Sequence, residues 1–167
     1  MDDPPGPSSF FSSSSSKHVF ISFRGSDTRK TFVCHLHNAL ERQLVSAYLD
    51  TEDLRQGDNL SNLFKAIAEA KISIVVFSKD YASSKWCLRE LVKIMECHKA
   101  QQKQLVIPIF YGGVKPSDVR NYQRGSFAEA LNKHKRDGKV DETELERWRV
   151  ALHEASQIAG SSSDQYG

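Results

Sequence analysis

The chain has 167 residues, 39% hydrophobic and 26% charged, with 23 Lys plus Arg against 21 Asp plus Glu. That length suits one domain able to bury roughly two thirds of its unfolded surface, and the near balance of charge leaves little whole-molecule attraction to nucleic acid or anionic lipid. Cys34, Cys87 and Cys97 form neither an even disulfide set nor a CxxC pair, and no Cys/His spacing suggests zinc, so reduced thiols in a metal-free cytoplasmic protein, with the nucleus also open to it, are expected.

The chain opens on Pro, Gly and Ser with two Phe over residues 1–16, a composition that cannot offset the cost of ordering its backbone. Asp2 and Asp3 stand where a secretory signal carries base, and no run approaches the ~20 apolar residues of a membrane helix. A disordered leader is expected there, one folded unit over 17–160, and a flexible tail or linker over 161–167. Four apolar runs mark strands: His18 to Phe23, Val45 to Leu49, Ile72 to Phe77 and Leu105 to Phe110. Near-continuous apolar runs separated by helical segments indicate a parallel sheet buried on both faces. Pro108 cannot donate to a ladder, which places the last run near an edge or interrupts it.

Between these runs the spacing predicts a first helix over 28–43, capped by Asp27 or Ser26, with Phe32, Leu36, Ala39 and Leu40 on its buried face. Further helices are expected over 59–69 and 85–99, then at least one between Pro116 and Lys135 that begins after Gly125 and Ser126. A last helix takes Asp141 as its cap with Glu144 three residues on, and buries Trp148, Ala151, Leu152 and Ala155.

In an open α/β sheet, ligands bind beyond the carboxyl ends of the strands, where strand order reverses. Three polar loops leave such ends here: Arg24 to Thr28, Asp50 to Asn59 and Ser78 to Trp86. The third feeds a helix on which Trp86 and Glu90 are four residues apart and share a face, expected to be polar and distinct from the apolar face of Leu88, Leu91, Val92 and Met95. Taken by position alone, Glu90 reads as a solvated partner of Lys93. Arg24 suits a phosphate and a structural pair with Asp27 or Asp50 equally well, and Gly25 lets a ligand approach the backbone. Cys87 lies near a helix start, where a thiol pKa can fall, but a small buried hydrophobe is the ordinary role of such a residue.

Two stretches, Ser22-Phe23-Arg24-Gly25-Ser26-Asp27-Thr28-Arg29 and Ser83-Ser84-Lys85-Trp86-Cys87-Leu88-Arg89-Glu90-Leu91, resemble the plant-type Toll/interleukin receptor (TIR) domain of intracellular immune receptors. Phe110-Tyr111, Lys115 to Arg120 and Gly125-Ser126-Phe127 extend the resemblance from about Lys17 to Gly160. It implies a flavodoxin-like, doubly wound parallel sheet of four to five strands with helices on both faces. It also implies cleavage of NAD+ or NADP+ as substrate, with no cofactor, at Glu90, the glutamate of the Trp-Cys-Leu-x-Glu-Leu motif. Arg24, Gly25, Ser26, Asp50, Ser83 and Trp86 would then bind substrate, and the Asp50 to Asp58 loop would cover the site and take part in assembly. Self-association with itself and other TIR domains is expected through the first and last helices, at Cys34, His35 and around Trp148. Some family members act on nucleic acid through the cysteine matching Cys87, a minor possibility here. Cys34 stands where the family usually has serine, and Gly112-Gly113 replaces its acidic turn.

Removal of nicotinamide needs only one carboxylate. Glycosidases require a second to protonate a departing oxygen, whereas nicotinamide leaves as a neutral ring and a single anion beneath the ribose stabilises the developing charge. The competing reading is a non-catalytic adaptor acting by TIR–TIR contact. A phospho-accepting response regulator needs an acid pair after the first strand and an aspartate ending the third, which Ser22-Phe23-Arg24 and Phe77-Ser78 do not supply. A Rossmann oxidoreductase is excluded because the chain has neither G-x-G-x-x-G nor a Walker lysine motif.

Overall fold

The computed structural model of the chain describes residues 18–28, 32–49, 60–101, 104–158 and 161–162. Their order is β1 (Val19–Ser22), α1 (Gly25–Thr28), α2 (Cys34–Arg42), β2 (Ala47–Leu49), α3 (Leu60–Glu69), β3 (Ile72–Phe77), a 3-10 turn (Tyr81–Ser83) and α4 (Lys85–Gln101). After these come β4 (Leu105–Phe110), α5 (Pro116–Val119), α6 (Ser126–Asp137), α7 (Glu142–Ser156) and β5 (Ser161–Ser162). The strands form one parallel sheet in the order β2-β1-β3-β4-β5.

Strand side chains alternate between faces, and two cores follow from that period. Val19, Ile21, Phe23, Ile74 and Val76 point to one face, where Val33, Phe32, Leu36 and Leu40 cover them. Phe20, Val75, Phe77, Val106 and Phe110 point to the other, against Leu63 and Ile67 of α3, Leu88, Leu91 and Ile94 of α4, Leu131 of α6 and Trp148 of α7. The doubly wound parallel architecture expected from the apolar runs is therefore the one observed. Pro108 pairs with Val75 on the β3 side, while among the described residues β5 meets β4 at Ile109 and Phe110. The missing donor thus lies next to the described outer pairing.

Several boundaries move. Within the described residues α2 starts at Cys34, its N-cap position is Val33 without a side-chain cap, and Ala39, expected inside, is exposed. The side chains of Ser26 and Asp27, the leader 1–16 and the loop Asp50 to Asn59 lie outside the described residues. The folded unit, expected to close at Gly160, takes in Ser161 and Ser162 as β5. The Asp141 cap holds: its Oδ1 accepts from the Glu144 backbone at 2.8 Å. The side chain of Glu144 turns to Arg89 of α4, also at 2.8 Å. Gly112 and Gly113 both sit at positive φ, 66° and 82°, a turn that a residue with a Cβ adopts only under strain.

Candidate active site

β1 ends at Ser22, which shares the α4-facing side of its strand with Phe20 because the two are two residues apart. β3 ends at Phe77, and the chain then turns through Tyr81–Ser83 into α4. β1 and β3 are adjacent at the centre of the sheet, and the connections after them diverge there, which is the switch point of a 2-1-3-4-5 sheet.

Glu90 meets these elements. Its carboxylate is fully buried, and Ser22 Oγ lies 2.6 Å from Oε2. Tyr81 Oη lies 2.8 Å from the same Ser22 Oγ and 3.1 Å from the Cys87 carbonyl oxygen. Tyr81 and Ser22 are themselves buried, and the Tyr81 ring stands edge-on to Phe77 with centroids 5.1 Å apart. This corrects the expectation that Glu90 and Trp86 share a polar face outside the core, and it does not bear out the solvated pair with Lys93 that position alone suggests. α4 packs against α3, α7 and the sheet together, so its buried arc is wider than the single stripe of a surface helix and takes in Cys87, Glu90, Leu91 and Ile94. Lys93 lies instead over the Phe64 ring, 5.8 Å from its centroid.

Arg24 and Ser83 come together in a cavity of about 400 Å³ that Ser84, Lys85, Lys133, His134 and Asp137 also line. Three cations against one acid favour an anion there. His134 Nε2 is 2.8 Å from the Ala82 carbonyl oxygen, and its ring stands edge-on to Trp148. Burial pushes the imidazole pKa below its ordinary value, partly opposed by the Ala82 hydrogen bond, with Lys85 and Lys133 acting downward and Asp137 upward. Two larger clefts, of about 520 and 500 Å³, run between α4 and α7 and reach none of Glu90, Arg24 or Ser83.

The other candidates divide as follows. Trp86 is half-buried and packs on the core one turn before Glu90. Gly25 opens α1 directly after Arg24, and Asp50 lies outside the described residues. Cys87 is buried and its thiol donates to the Phe23 carbonyl at 3.4 Å, which ties α4 to the loop after β1 and fits a core residue. Cys34 and His35 are exposed on α2. Trp148 is 1% exposed, so it packs inside the domain and offers no surface to a partner. Ser22 and Tyr81 were not singled out by sequence. A serine ending an otherwise apolar strand is the one available signal, since its hydroxyl must find a partner when buried.

The TIR domain family model matches residues 18–166. The chain is 50% identical over 158 residues to TMV resistance protein N of Nicotiana glutinosa, covering 92% of this chain and 14% of that protein. It is 48% identical over 145 residues to disease resistance protein RUN1 of Vitis rotundifolia, covering 85% of this chain and 10% of that one. It therefore spans a small fraction of the length of these curated relatives. Among solved structures it resembles the TIR domains of the activated Roq1 resistosome directly recognizing the pathogen effector XopQ, with a TM-score of 0.76, 46% identity and 87% of both chains covered. A buried glutamate at the switch point of a 2-1-3-4-5 sheet, a family match over nearly the whole folded unit and plant resistance relatives at half identity agree: the chain belongs to the TIR domain family.

Proposed function

We propose that this TIR domain self-associates and hydrolyses NAD+ or NADP+ at Glu90, without a cofactor, releasing nicotinamide and an ADP-ribose-type product that signals defence and cell death. The reading rests on one observation above the rest. A buried carboxylate, Glu90, sits at the sheet's switch point, held at 2.6 Å by a hydroxyl from β1. A substrate ribose brought against it would have its developing positive charge stabilised in a low-dielectric setting, where an anion acts most strongly. The cavity of Arg24, Lys85 and Lys133 suits the phosphates of a dinucleotide, with Ser83 at its rim. Trp86 supplies an aromatic wall. The chain's similarity to the TIR domains of a resistosome supports assembly as the active form, with α2 presenting Cys34 and His35. A cytoplasmic or nuclear place of action accompanies this reading; no helix among the described residues is long and apolar enough to cross a membrane.

The complete burial of Glu90 also favours a second reading, a scaffold that signals by TIR–TIR contact alone. The enzyme reading requires assembly to open a path to the carboxylate. Nicotinamide release measured across a range of protein concentrations, with and without a crowding agent, separates the two. The enzyme gives turnover that rises more steeply than protein concentration, and the scaffold gives none at any concentration.

A further inference from the structure

Three buried oxygens lie in series beside Glu90 Oε2: Ser22 Oγ at 2.6 Å, Tyr81 Oη a further 2.8 Å on, and the Cys87 carbonyl 3.1 Å beyond that. Each hydroxyl has one proton to donate and lone pairs to accept. The series therefore runs in either direction. With Glu90 ionised, Tyr81 donates to Ser22 and Ser22 donates to the carboxylate. With Glu90 protonated, its O–H donates to Ser22, Ser22 donates to Tyr81, and Tyr81 donates to the Cys87 carbonyl. In both states each hydroxyl donates once, so neither state leaves a relay hydroxyl proton without an acceptor.

We propose that Ser22 and Tyr81 are positioning residues that hold Glu90 through a reversible hydroxyl relay, donating to it as a carboxylate and accepting from it as an acid. The proposal rests on the hydrolytic reading above and adds a step to it, in which Glu90 also takes the proton of the attacking water. The ribose C1′–nicotinamide bond breaks with its electron pair going to the ring nitrogen. Water oxygen then bonds to C1′, and one water proton passes to Glu90. A buried carboxylate without such a relay would lose hydrogen bonding in one of its two states. The hydroxyl–carboxylate bond is charge-assisted and the stronger of the two arrangements, so the relay favours the ionised form that must be present before water attacks. Among the described residues, charged and titratable groups on the surrounding elements include Arg24 beyond β1, Lys65 and Glu69 of α3, Lys79 and Asp80 before the turn, and Lys85, Arg89, Lys93, Glu96, His98 and Lys99 of α4, with Arg89 engaged by Glu144 of α7.

The test is a carbon-13 NMR titration of the Glu90 side-chain carboxyl in the folded protein, which needs no enzymatic activity. Ser22→Ala removes the donor and should raise the titration midpoint by about one pH unit. Ser22→Thr, which keeps the hydroxyl, should restore it. Tyr81→Phe keeps the ring against Phe77 and should shift the midpoint in the same direction by less, and it decides the matter if Ser22→Ala fails to fold. If the protein cleaves NAD+, Ser22→Ala should also lower kcat by about ten- to a hundred-fold and move the acid limb of its pH profile upward. An unmoved midpoint in Ser22→Ala, or in Tyr81→Phe where that variant decides, overturns the relay even if Glu90 proves catalytic. A moved midpoint in a protein that releases no nicotinamide sustains the relay and rejects the hydrolytic reading alone.

Discussion

Replacing Trp148 with alanine should destabilise the domain by about 4 kcal/mol, through its core and not through a lost partner surface. The side chain is 1% exposed, lies in the α4–α6–α7 cluster and meets the His134 ring at a centroid distance of 5.4 Å. An indole buries roughly 150–250 Å², which at about 25 cal/mol per Å² is worth roughly 4–6 kcal/mol, and measured truncations of buried Trp and Phe fall at about 3–5. Partial collapse of the α7 contact supports the lower part of that range. For a domain of this size each kcal/mol moves the melting midpoint by about 2–4 °C, so a drop of roughly 10–15 °C is expected. Urea unfolding followed by circular dichroism should show a lower midpoint at an unchanged slope, because the surface exposed on unfolding stays the same. A folded Trp148→Ala protein that loses under ~1 kcal/mol yet self-associates less tightly would return Trp148 to the interface.

Three further outcomes are expected. Burial holds the His134 pKa below the value it has when unfolded, so its neutral form adds stability at pH above the ordinary imidazole range, and that contribution is lost as pH falls through the depressed value. Unfolding free energy measured between about pH 7 and 5 should therefore fall less steeply in His134→Gln than in the parent protein. Leu44 closes α2 at φ 61°, with its backbone N–H on the Glu41 carbonyl at 3.0 Å and that of Val45 on Leu40 at 2.9 Å. This is a helix stop that ordinarily uses glycine, and the leucine side chain is 94% exposed, so Leu44→Gly should stabilise by about 0.5–1 kcal/mol in thermal unfolding. His35→Ala on the exposed face of α2 should leave the melting temperature within about 2 °C and weaken self-association in sedimentation velocity; unchanged association would remove this face from the interface.

What the sequence disclosed depended on whether a local pattern carried the property. The four apolar runs became strands because burial on both faces demands them, and the Asp141 cap was readable because its partner is only three residues away. β5 has no apolar signal: Ser161 and Ser162 are a strand only because the edge of β4 pairs with them. The burial of Glu90 was not readable because helical period describes one face of an isolated helix. Here three neighbouring elements close around α4, and a charge in Trp86 to Met95 looks solvated until Ser22 arrives from a distant strand. In sequence Trp148 suits both the buried stripe of its helix and a position near a partner surface; tertiary packing decides for the stripe. Ser22 and Tyr81 are separated from Glu90 by 68 and 9 positions, so only the fold shows that their hydroxyls form a chain ending on its carboxylate.

Glu90→Gln decides whether Glu90 carries the proposed NAD+ cleavage. The amide keeps the side chain's size and can donate to Ser22 Oγ, so folding should change by no more than about 1 kcal/mol and assembly not at all. Nicotinamide release, measured by chromatography on the assembled parent and variant at equal concentration, should fall by about 100- to 1000-fold when the charge is removed. A folded, normally assembling Glu90→Gln protein that releases nicotinamide at the parental rate would remove Glu90 from the reaction.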